Sequence, residues 1–181
     1  YEMRADYSDK ALIKLLHATN STPGNVIADI GAGTGKLTKF LAESNLTVRA
    51  IEPNSSMRLY GKKNVAHPEV IWSNGVAENT GLQSNTVHGA FFGSSFNVVN
   101  QNKALAEAAR IVVPNGWFAC LWNHRELDDP LQQRIEKIIN ELISDYDYGT
   151  RRQSPQSVLE DSGYFSEIRH IKEHFRVYMS R

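Results

Sequence analysis

The stretch Val26-Ile27-Ala28-Asp29-Ile30-Gly31-Ala32-Gly33-Thr34-Gly35-Lys36-Leu37-Thr38 decides how the rest of this 181-residue chain is read. A short apolar run carries an acid near its end, three glycines follow at every second position, and a helical pattern begins at once. Apolar residues running into glycines mark a buried parallel strand entering a tight turn, where missing side chains let the backbone approach a ligand. The segment reads as a binding loop for a nucleotide-like cofactor.

Outward from this loop the apolar periodicity alternates between strand and helix. Leu12, Ile13, Leu15 and Leu16 mark an N-terminal helix over 9–19, a candidate lid, ended by Asn20-Ser21-Thr22-Pro23-Gly24. The first strand, 26–30, leads into a helix over 36–44 with Leu37, Phe40 and Leu41 on one face. A second strand is predicted over 46–52, then a helix capped by Asn54 or Ser55 and running through Tyr60. Strands over 69–73 and 87–92 follow, then a helix over about 102–112 and, after the turn Pro114-Asn115-Gly116, a strand over 117–122. Leu131, Ile135, Ile138, Ile139 and Leu142 recur at helical spacing, a short helix falls near 155–161, and a polar strand is expected over 167–178.

This alternation predicts an α/β fold: a Rossmann-like, doubly wound, mostly parallel sheet in a single domain over 1–181, with helices on both faces. Ligands of such sheets sit at the carboxyl ends of the strands, where the strand order switches. Gly31–Gly35, Glu52, the loop 75–78, the loop 93–97 and Asn123-His124 should therefore meet at one crevice.

Composition removes several function classes. Lys plus Arg and Asp plus Glu number 20 each, so the formal charge is zero and no electrostatic footprint for nucleic acid is visible. Cys120, the one cysteine, excludes an internal disulfide and favours a reducing compartment, with the cytoplasm as the default. Its apolar surroundings predict an inert thiol. No apolar stretch approaches the ~20 residues of a membrane span, and no secretory leader is legible.

Three ligand types compete for the glycine loop. A phosphate-gripping loop needs a glycine five positions before Gly35-Lys36 and Ser or Thr after it, where this chain has Ile30 and Leu37. A dinucleotide fingerprint places its third glycine where Lys36 stands. What remains suits a ligand without phosphate, an amino-acid moiety lying along the turn with its carboxylate near the helix N-terminus. Glu52 closes the second strand close to the ~20 positions after Gly31 expected of a ribose-binding acid.

The blocks DIGAGTG (29–35), AIEPNSSM (50–57), NGVAENTGL (74–82), ALAEAARIV with its PNGW turn (104–117) and LWN (121–123) resemble the class I S-adenosylmethionine-dependent methyltransferases. The similarity is to the small-molecule, type-11 or ubiquinone-biosynthesis-like branch. Arg4-Ala5-Asp6-Tyr7-Ser8 also resembles a segment that precedes the first core helix in many members. The resemblance spans Tyr1 to about Trp122. It implies S-adenosylmethionine as cofactor, S-adenosylhomocysteine as product and no metal. Gly31, Gly33 and Gly35 would line the methionine part, Asp29 would orient the loop or meet the amino group, and Glu52 would hold the ribose. Pro53 and Met57 would flank the adenine, Val76, Ala77 and Glu78 would meet its edge, and Ser94 to Phe96 would sit beside the sulfonium.

Two departures from the family stand out. A His-Trp-Phe-Asp-like stretch is replaced by Asn97-Val98-Val99-Asn100, so its substrate role does not transfer. Two final strands are usual, and only 167–178 is a candidate; the chain reads as truncated, or as missing segments in this numbering. The implied reaction is direct displacement of the methyl group by an oxygen, nitrogen or carbon nucleophile of a small molecule. His124 is the candidate general base, while Tyr7 and Asn97 are candidates for the substrate side. Tyr1, Tyr7 and Phe96 could offer ring faces to a sulfonium or an aromatic acceptor. His88, inside an apolar strand, reads as structural. A non-catalytic cofactor-binding partner module and, more weakly, an NAD-dependent oxidoreductase are the alternatives. Oligomeric state is not legible.

Overall fold

In a computed structural model the chain is described over residues 5–144, 146 and 153–177. The expectations placed on Tyr1 and Arg4 lie outside these residues. Helix α1 spans Asp9–Ala18, β1 Val26–Ile30, α2 Lys36–Glu43, β2 Thr47–Ile51, α3 Ser55–Asn64 and β3 Val70–Ser73. After β4 (Val87–Gly93) a short 3-10 turn at Phe96–Val98 leads to α4 (Gln101–Ile111), β5 (Val112–Leu121), α5 (Pro130–Leu142) and α6 (Gln156–Ser162).

The five strands pair in parallel in the order β3-β2-β1-β4-β5. Strands β1 and β4 are each covered on both faces, and their residues divide by alternation. Ala28 and Ile30 with Ala90 and Phe92 pack against Ala104, Leu105, Ala108 and Ile111 of α4. Ile27 and Phe91 turn the other way, onto Leu12 of α1 and Leu37, Leu41 and Ala42 of α2. A period of two placing both sets in apolar surroundings is the signature of a doubly covered parallel sheet. Burying a phenylalanine such as Phe91 or Phe92, each fully buried, contributes roughly 1.5–3 kcal/mol. Side-chain caps start the helices: Ser8, Asn54, Asn100 and Asp129 accept from the first-turn N–H groups of α1, α3, α4 and α5.

Because β2 and β4 flank β1, the connections leaving β1 and entering β4 run to opposite sides of it. The carboxyl ends of β1 and β4 therefore open a crevice, and the glycine loop lies at its edge.

Four sequence expectations need correction. Helix α3 continues past Tyr60 to Asn64, since Gly61 lets it close on Trp72, whose ring would lie 2.3 Å from a Cβ there. Pro114-Asn115-Gly116 is an excursion inside β5, with Val112 paired to Val87 and Trp117 to Gly89. Trp122 lies just past the strand, which ends at Leu121. Among the described residues 167–177 form no strand; Tyr178 lies outside them. Side chains tether this segment instead. Phe165 packs on Phe118 with centroids 5.5 Å apart, Arg169 lies 5.2 Å over the Trp117 ring and donates to the Ala18 carbonyl, and Glu173 pairs with Lys14. Helix α5 forms as predicted, yet none of its described residues is buried.

Candidate functional site

The glycine loop is pinned from below. The N–H groups of Gly31 and Ala32 both donate to the Ile51 carbonyl, at 2.9 and 3.0 Å, so the bend leaves β1 across the end of β2. Gly31 has φ +73°, and a Cβ there would stand 2.6 Å from Ser95 Cβ, so no other residue keeps both the turn and the β4 contact. Ser95 completes that contact by donating to the Ile30 carbonyl at 2.6 Å. Gly35, at φ +89°, is the N-cap of α2 and faces Val65, 2.7 Å from a would-be Cβ.

Glu52, 6% exposed, stands just past β2. Its Oε2 accepts the Gly33 N–H at 2.8 Å and its Oε1 accepts the Asn54 N–H at 2.8 Å. The acid thus braces the loop as well as bordering the crevice. Arg58 locks the same corner, donating to the carbonyls of Glu52 and Pro53 and to Asn74 Oδ1. Pro53 is exposed and Met57 half-buried, with the Met57 methyl 3.2 Å from the Cβ position of Gly33.

Asp29 is fully buried, its Oδ2 accepting from the Thr38 hydroxyl at 2.6 Å. Its Oδ1 has no partner among the described residues. Burial pushes the carboxyl up to about 7; the Thr38 hydrogen bond opposes the shift and the Glu52 charge adds to it. Asp29 thus ties β1 to α2 across the glycine loop.

The loop 75–82 is held by a network that sequence reading missed. Thr80 donates through its N–H and hydroxyl to Glu107 Oε1, at 2.8 and 2.6 Å, while Arg110 grips both Glu107 oxygens. Burial pushes the Glu107 carboxyl up, yet the bonds from Arg110 and Thr80 outweigh it and hold the group below its usual range. Its only sequence trace is a Glu-x-x-Arg pair on a helix. Of the residues expected at the adenine edge, Val76 is exposed, whereas the Ala77 side chain belongs to the core on the α4 face. Glu78 accepts the Asn100 N–H at 2.8 Å and so sits at the N-terminus of α4, where a negative charge is favoured.

On the β4 side, Ser94 has φ +57°, donates its N–H to the Leu121 carbonyl and hydrogen-bonds the Tyr7 hydroxyl at 2.9 Å. Phe96 is a correction. Its ring is fully buried, 5.3 Å from Phe92 and 5.0 Å from Phe118 between centroids, and offers no face to the crevice. Asn97 Oδ1 accepts from the Trp122 indole at 3.0 Å. His124 is exposed and lies alongside Trp122, rings 6.5 Å apart and inclined by 20°. His88 Nδ1 accepts the Val26 N–H, a structural contact at the far end of the sheet. Burial pushes the Cys120 thiol up to about 12, which leaves it unreactive. Beside the loop opens a cleft of about 510 Å³, lined by Asp6, Tyr7, Thr34, Gly35, Lys36 and Tyr60 among others; it lies on the α2–α3 flank, away from Glu52. Among the described residues no group of three or more His, Cys, Asp or Glu side chains could hold a metal ion, and no helix is long and apolar enough to cross a membrane.

Residues 28–120, 93 of the 181, match the family described as methyltransferase domain. The chain belongs to that family. The matched stretch of this methyltransferase domain runs from β1 through β5, the part that builds the crevice. A relative from Mycobacterium tuberculosis, named only as an uncharacterized methyltransferase, is 32% identical over 68% of this chain and 48% of its own length. A ubiquinone/menaquinone biosynthesis C-methyltransferase of Caulobacter vibrioides is 30% identical over 65% of this chain and 51% of its own. Phosphoethanolamine N-methyltransferase 2 of Haemonchus contortus, solved with S-adenosyl-L-methionine, shares the fold with a TM-score of 0.60 at 15% identity, over 86% of this chain and 36% of that one. The chain spans about half the length of the curated relatives it matches.

Proposed function

We propose that this chain binds S-adenosylmethionine over the Gly31–Gly35 bend and transfers its methyl group to a small-molecule acceptor. The observation that carries the reading is the buried Glu52 carboxylate, bonded to the Gly33 N–H at 2.8 Å beside the strand-order switch. Each carboxylate oxygen has a second lone pair to offer a ribose hydroxyl. A bend with glycine at three of its five positions, and an acid oxygen of Asp29 buried nearby without a partner among the described residues, fits a phosphate-free nucleoside carrying an amino-acid arm.

In this reading Gly31, Gly33 and Gly35 line the methionine arm, and Pro53 and Met57 flank the adenine. Val76 and Glu78 border its edge, and Ser94 and Tyr7 stand near the reacting end. The sulfonium, when bound, supplies an activated methyl electrophile with a neutral thioether as leaving group. The residues of the chain then have to align an acceptor and exclude water, where orientation alone is worth effective molarities of ~10⁵ M or more. His124 takes a proton from acceptors that must lose one. The Caulobacter relative, by name a C-methyltransferase of ubiquinone/menaquinone biosynthesis, supports carbon among the candidate acceptor atoms.

Calorimetry with S-adenosylhomocysteine, followed by turnover with labelled S-adenosylmethionine on a panel of metabolites and cell extract, tests the proposal. Binding with transfer to an extractable small molecule supports it. Binding without any transfer turns the assignment to a non-catalytic module, and no binding overturns it.

A further inference from the structure

The segment Ala5–Ser8 runs over the carboxyl ends of β4 and β5 and the start of α2, and its fastenings are unequal. Asp6 pairs with Lys36 at the start of α2, but Asp6 is highly exposed, and such pairs contribute little. The Tyr7 hydroxyl meets Ser94, just past β4. Asn123, just past β5, reaches the segment's backbone: its Nδ2 donates to the Asp6 carbonyl at 2.9 Å and the Ala5 carbonyl at 3.3 Å. Two carbonyls can only accept, so they fix which end of the amide faces them.

The end of β5 commits three successive residues to this corner. The Leu121 carbonyl holds the Ser94 N–H, the Trp122 indole holds Asn97, and Asn123 holds the strap. One strand end thus fixes both the strap and the serine on which the strap's tyrosine rests. Asp6 and Tyr7 also line the flanking cleft together with Thr34, Gly35 and Lys36, so the strap lies against the end of the glycine loop.

We propose that Asn123 is a positioning residue whose amide latches residues 5–8 across the crevice, keeping Tyr7 against Ser94 as a wall that retains the cofactor. The inference rests on the cofactor reading above and adds to it how the site is closed. Leaving the latch intact makes displacement of the strap a step in cofactor release.

Asn123→Asp is nearly isosteric and replaces the donor with a carboxylate facing two carbonyls. With two net hydrogen bonds removed, S-adenosylhomocysteine should dissociate roughly tenfold faster in stopped-flow measurements. Hydrogen exchange at residues 5–8 should accelerate, while the thermal midpoint stays within a degree or two because Asn123 is exposed. Asn123→Gln, which keeps a donor, should recover part of the retention. An unchanged off-rate in the Asp variant of a binding wild type overturns the latch alone, even if strap exchange quickens. A lowered midpoint with no change in exchange assigns Asn123 a merely structural role and overturns it as well. A wild type that binds no S-adenosylhomocysteine overturns the cofactor reading and this inference with it.

Discussion

Asp29 offers a test in which one buried atom sets a whole-molecule property. Its carboxyl titrates near 7 in the folded chain because burial penalises the anion, against 3.8 when unfolded. The folded state therefore binds more protons than the unfolded one between those values, and stability falls as pH rises through that window. The contribution is fully present below about 3.8 and gone above about 7. Linkage across pH 5 to 8 gives a loss of about 2–3 kcal/mol from this group alone, which for a chain of this size lowers the midpoint by roughly 5–10 °C. The comparison that isolates this group is with Asp29→Asn. That variant keeps an acceptor for the Thr38 hydroxyl and removes the ionisation. Thermal and urea unfolding of both proteins at half-unit steps from pH 5 to 8 gives the difference curve. The wild type should lose stability relative to the variant by that amount. Parallel profiles would refute the argument, because a carboxyl so shifted cannot titrate silently.

The remaining predictions concern the loop and its chemistry. Glu52→Gln retains the shape but places an amide beside two N–H donors and withdraws a charged acceptor from the ribose; S-adenosylhomocysteine affinity should drop about 10- to 100-fold by calorimetry. Unchanged affinity would remove Glu52 from the binding site. Gly35→Ala forces a side chain into φ +89° and against Val65, so the midpoint should fall, with a loss of about 1–3 kcal/mol in urea unfolding. His124→Ala should leave S-adenosylhomocysteine binding intact and flatten the acidic limb of the turnover–pH profile once an acceptor is found. A profile that keeps its shape would show that His124 carries no proton.

Sequence alone determined most of the sheet, because the information for a buried parallel strand is local. Apart from Asp29 and His88, Val26–Ile30 and Val87–Phe92 are apolar or glycine on both alternating faces, and glycine or asparagine marks each turn. The loop was legible for the same reason, since positive φ at Gly31, Gly33 and Gly35 is written in residue type. The acid at the end of β2 was legible from its distance along the chain, but its bonds to Gly33 and Asn54 were not.

Tertiary structure decided whatever depends on which surfaces meet. Phe96 carries an aromatic ring in the right loop, and only the arrival of Phe92 and Phe118 shows that the ring belongs to the core. Residues 167–177 read as a strand by pattern, yet a strand exists only when a neighbour supplies its hydrogen bonds, and side-chain tethers to Trp117 and Lys14 hold this segment instead. The strap and its amide join residues 117 positions apart, Asp6 and Asn123, a pairing that no local propensity encodes. Periodicity records what each element wants to bury; the folded packing alone determines which polar groups are left facing one another.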